Sequence, residues 1–198
     1  MSNPRGFKQK LATVSRLWEQ QEYDNAFVEV QSMLKIWPGN AHLHILWASL
    51  IQLQEDTEHE LNEAKGALLK AVDLDRGSPA ASIELGYFLD SVEDDPTAAA
   101  KAFGEGVTTA REMLIEGLIG QAKAFRQMDK MDEFRQCLME ILHLSRFEAI
   151  PKKSHVEDAG EDIIFGSTSG HFYAGQLKGR HAAQIQELLN ELALDRSA

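Results

Sequence analysis

Asn62-Glu63-Ala64-Lys65, followed by Ala71-Val72-Asp73-Leu74-Asp75-Arg76, is a short helix signature that returns along the chain. A small or apolar residue opens it, and an aliphatic cluster running into a turn closes it. Upstream stands Asp24-Asn25-Ala26-Phe27 with Met33-Leu34-Lys35-Ile36-Trp37-Pro38. Downstream stand Ala98-Ala99-Ala100-Lys101 with Phe103 and Gly106-Val107, then Asp132-Glu133-Phe134 with Ile141-Leu142-His143-Leu144. With Ala26, Ala64, Ala99 and Phe134 as equivalents, the spacings are 38, 35 and 35 residues. A period in this range marks stacked helical hairpins, a fold that works by presenting surface.

The flanking sequence divides into helices on the same terms. Residues 7–20 put Leu11, Val14, Leu17 and Trp18 on one face. Asp24 is placed to cap a helix over 25–36, ended by Trp37-Pro38-Gly39, and Asn40 caps one over 41–53. The acidic loop Glu55 to Glu60 precedes a helix over 61–74. Ser78-Pro79 opens 80–91 and Asp95-Pro96 opens 97–110, proline being favoured at a first helical position. Helices over 113–127 and 132–145 complete four hairpins. After residue 145 the pattern breaks into a stretch with Pro151, five glycines and the apolar clusters Ile163-Ile164-Phe165 and His171-Phe172-Tyr173. It reads as an ordered, irregular or hairpin-like excursion. Residues 180–194 return to helix, with Ile185, Leu188, Leu189 and Leu192 on one stripe. The expected organisation is a repeat domain over 1–145, an irregular extension over 146–179 and an amphipathic helix over 180–198. That last stripe is expected to cap the fourth hairpin over Phe125, Leu138, Ile141 and Leu142, and it could otherwise pair with a second copy.

Composition narrows the function. Of 198 residues, 43% are apolar and the formal net charge is −11. An acidic chain opposes general nucleic-acid binding and adhesion to anionic membranes, both of which need Lys and Arg. The lone Cys137 allows no intramolecular disulfide and reads as a small core hydrophobe. The first residues lack the apolar core of a signal peptide, and no run has the length of a membrane span, so a cytoplasmic protein is expected.

The repeat resembles the tetratricopeptide family over residues 7–145. Ala64, Leu68, Ala71 and Leu74-Asp75 match its second-helix positions, Leu85-Gly86 its leucine-glycine pair and Pro38 its terminal proline. Phe134, Arg76 and Thr13-Val14 depart from it. The resemblance implies an all-α fold, a right-handed superhelix of antiparallel hairpins followed by an irregular segment and a terminal helix. It also implies a groove lined by the first helix of each repeat. Carried onto this chain, the groove positions are Lys8, Leu11, Ser15 and Trp18; His42, Ile45, Ser49 and Gln52; Ala80, Ile83, Tyr87 and Asp90; Glu116, Ile119, Lys123 and Arg126. An aliphatic stripe (Leu11, Ile45, Ile83, Ile119), two aromatics (Trp18, Tyr87) and a basic end (Lys123, Arg126) suit a peptide with apolar anchors and an acidic group. The competing reading is that the stripe packs on neighbouring helices. The family's carboxylate-gripping members use Lys and Asn where this chain has Leu11 and Ser15, so that function is not expected.

No phosphate loop, zinc cysteine pair, metalloprotease helix or nucleophile elbow is present. Gly166-Ser167-Thr168-Ser169-Gly170 lacks the lysine of a phosphate cradle, and His42 and His44 are two apart, on different sides of a helix. No metal, cofactor or catalytic set is expected. The reading is a non-enzymatic interaction module, an adaptor, assembly factor or chaperone-like protein holding a peptide of a protein partner. The alternative is an enzyme or ligand-regulated module with its site in 146–179.

Overall fold

The computed structural model describes residues 4–54, 61–145, 148–150, 163–166, 172–175 and 180–195. The acidic loop, the Ser167–Ser169 part of the glycine-flanked loop and most of the expected extension lie outside the described residues. Eight helices are described: α1 (Pro4–Glu19), α2 (Tyr23–Ile36), α3 (Ala41–Leu53), α4 (Leu61–Leu74), α5 (Ala80–Ser91), α6 (Pro96–Gln127), α7 (Met131–Leu144) and α8 (Ala182–Asp195). Three short strands, β1 (Glu148–Ile150), β2 (Ile163–Gly166) and β3 (Phe172–Gly175), make an antiparallel sheet in the order β1-β3-β2. Ile150 stands opposite Phe172, and Phe165 opposite Tyr173. The aromatic excursion is therefore a small sheet, because β-branched and aromatic residues fit a pleated surface.

The chain divides into two compact units, residues 1–110 and 111–198, rather than at residue 145. The division falls inside α6, which is one helix of 32 residues where two were expected. The physical reason lies in residues 107–114, Val-Thr-Thr-Ala-Arg-Glu-Met-Leu, which contain no Gly, Pro or Asn and mostly favour helix. The Thr108 and Thr109 hydroxyls donate to the carbonyls of Gly104 and Glu105 four residues back, so neither competes for a cap. The earlier repeat boundaries carry Trp37-Pro38-Gly39 and Gly77-Ser78-Pro79; this one carries no breaker.

In the first unit α1 packs on α2, α2 on α3, α3 on α4, α4 on α5, and α3 also on α5. Its core holds the small residues at which the period was read: Ala26, Ala64 and Ala99 are all buried. Two glycines do the same work between α5 and α6. A Cβ at Gly86 would stand 2.7 Å from the Phe103 ring, and one at Gly106 would stand 2.8 Å from Ile83 Cγ1. Asn40 caps α3 as expected, its Oδ1 accepting from Leu43 N, and Asp95 caps α6 through Ala98 N. Asp24 does not cap α2. The helix begins at Tyr23, and Asp24 Oδ1 accepts from Gln54 Nε2 at 3.0 Å.

Three turns between described helices share one device. Gln21, Asp94 and Asp129 have φ of 59°, 51° and 57°, each two residues before a helix begins. At the first and last of these, the following N–H reaches back five residues, Glu22 N to Leu17 O and Lys130 N to Phe125 O, both at 2.9 Å. This left-handed close satisfies the last carbonyls of the preceding helix.

In the second unit, Ile115, Leu118, Ile119 and Ala122 of α6 meet Phe134, Cys137, Leu138, Ile141 and Leu142 of α7. Ile185, Leu188, Leu189 and Leu192 of α8 close the same core. The apolar stripe of the last helix thus covers α7, and it is not free to pair with a second copy.

Of the three left-handed turn residues, Gln21 lacks the short polar side chain that eases this conformation. Gln21→Gly is expected to raise unfolding stability by about 1 kcal/mol, measured by denaturant titration. Gly86→Ala is expected to lower it by about 1–3 kcal/mol, because the Phe103 ring blocks the added methyl.

Candidate functional site

The expected groove residues divide between the two units: Leu11, Trp18, Ile45, Ile83 and Tyr87 belong to the first, and Ile119, Lys123 and Arg126 to the second. Within the first unit the aliphatic stripe is largely structural. Leu11 and Ile45 are partly buried against the core, and Ile83 sits on Gly106. Ser15 and Ser49 turn their hydroxyls to their own helix, donating to the carbonyls of Leu11 and Ile45. Trp18 is half-buried, edge-on to Tyr23 at 6.0 Å. Tyr87 is different: it is 58% exposed, yet held edge-on to Phe103 at 5.1 Å. Phe103 can stand there because Gly86 has no side chain.

In the second unit Ile119 is a core residue, 4% exposed, and offers nothing to a ligand. Lys123 is exposed. Arg126 is half-buried, with Nη1 3.8 Å from Met131 Sδ.

A second concavity lies elsewhere in the first unit. A cavity of about 530 Å³ is walled by Gln31, Leu34 and Lys35 of α2 and by Glu63, Gly66, Ala67 and Lys70 of α4. His44 and Trp47 of α3 complete its lining. At about 100° per residue, His44 and Trp47 lie roughly opposite His42, Ile45, Ser49 and Gln52 on α3. The cavity therefore opens away from the face that the repeat resemblance selected.

His44 is 6% exposed and its Nε2 stands 2.8 Å from the Pro38 carbonyl oxygen. A carbonyl only accepts, so Nε2 carries a proton and donates it to this contact. Trp47 stacks on Phe27 at 6.1 Å and 25°. Lys35 and Lys70 are exposed, and neither has a carboxylate within salt-bridge distance among the described residues. Two other lysines of this unit are paired: Lys10 with Glu29 at 2.6 Å and Lys65 with Glu93 at 2.7 Å.

Sequence reasoning missed this cavity because its walls come from different hairpins. Counted from the buried alanines, α2 contributes the fifth, eighth and ninth following residues. On α4 the wall residues run from the one just before its alanine to the sixth after it. One signal was readable: Gly66 sits mid-helix, yet a Cβ there would meet nothing within 4 Å, so packing does not require the glycine.

A second cavity of about 430 Å³, in the second unit, is lined by Leu114, Gln136, Met139, Glu140, His143 and Leu144. Cys137 is buried nearby, its thiol donating to Gln121 Oε1 at 3.6 Å. Burial, and then the Glu140 carboxylate, push the thiol above its ordinary range. Among the described residues no group of three or more His, Cys, Asp or Glu is placed to hold a metal. No described helix is long and apolar enough to cross a membrane.

No protein-family model matches the chain. An "Uncharacterized 18.1 kDa protein in carS 3'region" of Myxococcus xanthus is 31% identical over 77 residues, 39% of this chain and 45% of that protein. Among solved structures, MamA 41-end from Desulfovibrio magneticus RS-1 is similar with a TM-score of 0.47 at 23% identity, over 56% of this chain and 59% of that one. A crystal structure of MamA protein is similar with a TM-score of 0.43 at 17% identity, over 69% of this chain and 72% of that one. The chain spans less than half of the curated relative and about three-fifths of the first of these structures.

The raised Cys137 thiol stays neutral in the folded chain at pH values where a free thiol has begun to ionise, and only the thiolate is nucleophilic. Native protein at pH 8 is therefore expected to react with iodoacetamide at least about tenfold more slowly than denatured protein, followed by mass spectrometry.

Proposed function

We propose that the stacked hairpins of residues 4–110 are a non-catalytic scaffold that binds a segment of a protein partner across the exposed faces of α1, α3 and α5. The observation that carries the reading is Tyr87. A large aromatic ring is more than half exposed but fixed in one place by Phe103 and Gly86. A rigid aromatic of this kind loses little conformational entropy on binding and commonly anchors an interface. The partly buried Trp18, Leu11 and Ile45 supply further apolar surface. Lys123 and Arg126 belong to the second unit and Ile119 is buried in its core, so the proposal rests on the first unit's residues. The net charge of −11 supports a protein partner over nucleic acid or an anionic membrane.

The test is a quantitative pull-down from native extract with wild type, Tyr87→Ala and Trp18→Ala, each checked for an unchanged melting temperature. A partner enriched by wild type should be depleted by Tyr87→Ala to a degree matching about 2 kcal/mol or more of lost affinity. Equal recovery by all three proteins would move the site off this face.

A further inference from the structure

We infer that the cavity between α2, α3 and α4 is a second docking site, for a partner peptide that buries an apolar side chain against Leu34, Trp47 and Ala67 and sets a neighbouring carboxylate between Lys35 and Lys70. Its interior is largely apolar, which calls for an apolar side chain; the volume of about 530 Å³ is in the range of ligand sites.

The rim sets the charge. Lys35 and Lys70 face the opening from two helices and have no carboxylate partner among the described residues, in a chain carrying −11 overall. Glu63 also lines the cavity, so Lys35 and Lys70 leave the lining with one net positive charge, counting His44 as uncharged. A carboxylate between two lysines gains charge-assisted hydrogen bonds that a neutral amide cannot.

His44 argues for a peptide over a simple organic acid. More than nine-tenths of its side chain is buried, and Nε2–H is committed to the Pro38 carbonyl. Nδ1, in the wall of the cavity, has no hydrogen bond among the described residues, and in the ring protonated only at Nε2 it accepts. A ligand with a donor alongside its apolar group and its carboxylate adds a hydrogen bond there. A peptide backbone N–H is such a donor.

The probe is the blocked peptide acetyl-Ala-Glu-Phe-Leu-Glu-Ala-amide, with a twin in which both Glu are Gln. Each is titrated into 15N-labelled protein while the Trp47 indole cross-peak is followed. The Glu peptide should saturate below about 1 mM, and the Gln twin should bind at least about tenfold more weakly. The double variant Lys35→Glu/Lys70→Glu should remove the difference between the twins. Gly66→Leu is the steric control: the new side chain enters open space rather than the protein, and a helix-interior glycine is lost. It should weaken peptide binding at least about tenfold with no fall in melting temperature. Equal affinity of the twins, unchanged binding by a folded Gly66→Leu protein, or no saturation by about 1 mM would each overturn the proposal. Binding of 3-phenylpropionate as tight as that of the Glu peptide would overturn it in favour of a small-molecule pocket. The Tyr87 and Trp18 variants leave this cavity intact, so failure here and failure of the α1/α3/α5 face are read separately.

Discussion

Two helices in a hairpin can approach closely only where one of them has almost no side chain, and the first unit is built on that constraint. Ala26, Ala64 and Ala99 fill the positions, one per hairpin, and all are buried. Gly86 and Gly106 extend the rule to places where even a methyl group would strike Phe103 or Ile83. Interiors are packed to crystal-like density, so a spot matched to a methyl group or a hydrogen does not tolerate a larger side chain. The same constraint presents function. Phe103 rests on Gly86, Tyr87 rests on Phe103, and an exposed aromatic ring is thereby held still.

The second unit meets the constraint differently. At the position equivalent to the alanines it has Phe134, which is fully buried. Around it pack long aliphatic side chains from α6, α7 and α8. The terminal helix is thus an integral third wall of a core. Burying its four apolar residues contributes several kcal/mol at about 25 cal/mol per Å² of apolar surface.

What was legible in the sequence follows from which signals are local. The alanine period, the Asn40 and Asp95 caps and the stripe of α8 are local, and the structure contains each of them. The continuous α6 was also written locally, in a breaker-free run from Val107 to Leu114, but the 35-residue period was allowed to outweigh it. The three strands were half-visible, since Ile163-Ile164-Phe165 and Phe172-Tyr173 announce β-structure while the partner order β1-β3-β2 depends on distant pairing. Site residues were least legible. The repeat register marks which residues can face outward, but Ile119 shows that a register position turns inward when a neighbouring helix covers it. The α2/α3/α4 cavity arises from three helices of two hairpins, and no single window of sequence contains it.

The scaffold reading and the cavity both depend on the alanine contacts, because these set how far apart the helices of the first unit stand. The most direct measurement compares the denaturant unfolding free energy of Ala64→Leu with that of Asn62→Leu, an exposed position on the same helix. The account predicts a loss of about 1–3 kcal/mol for Ala64→Leu, from overpacking, and a change within about 0.5 kcal/mol for Asn62→Leu. Equal, small changes in the two variants would contradict it, since the close approach at Ala64 would then place no constraint on the fold.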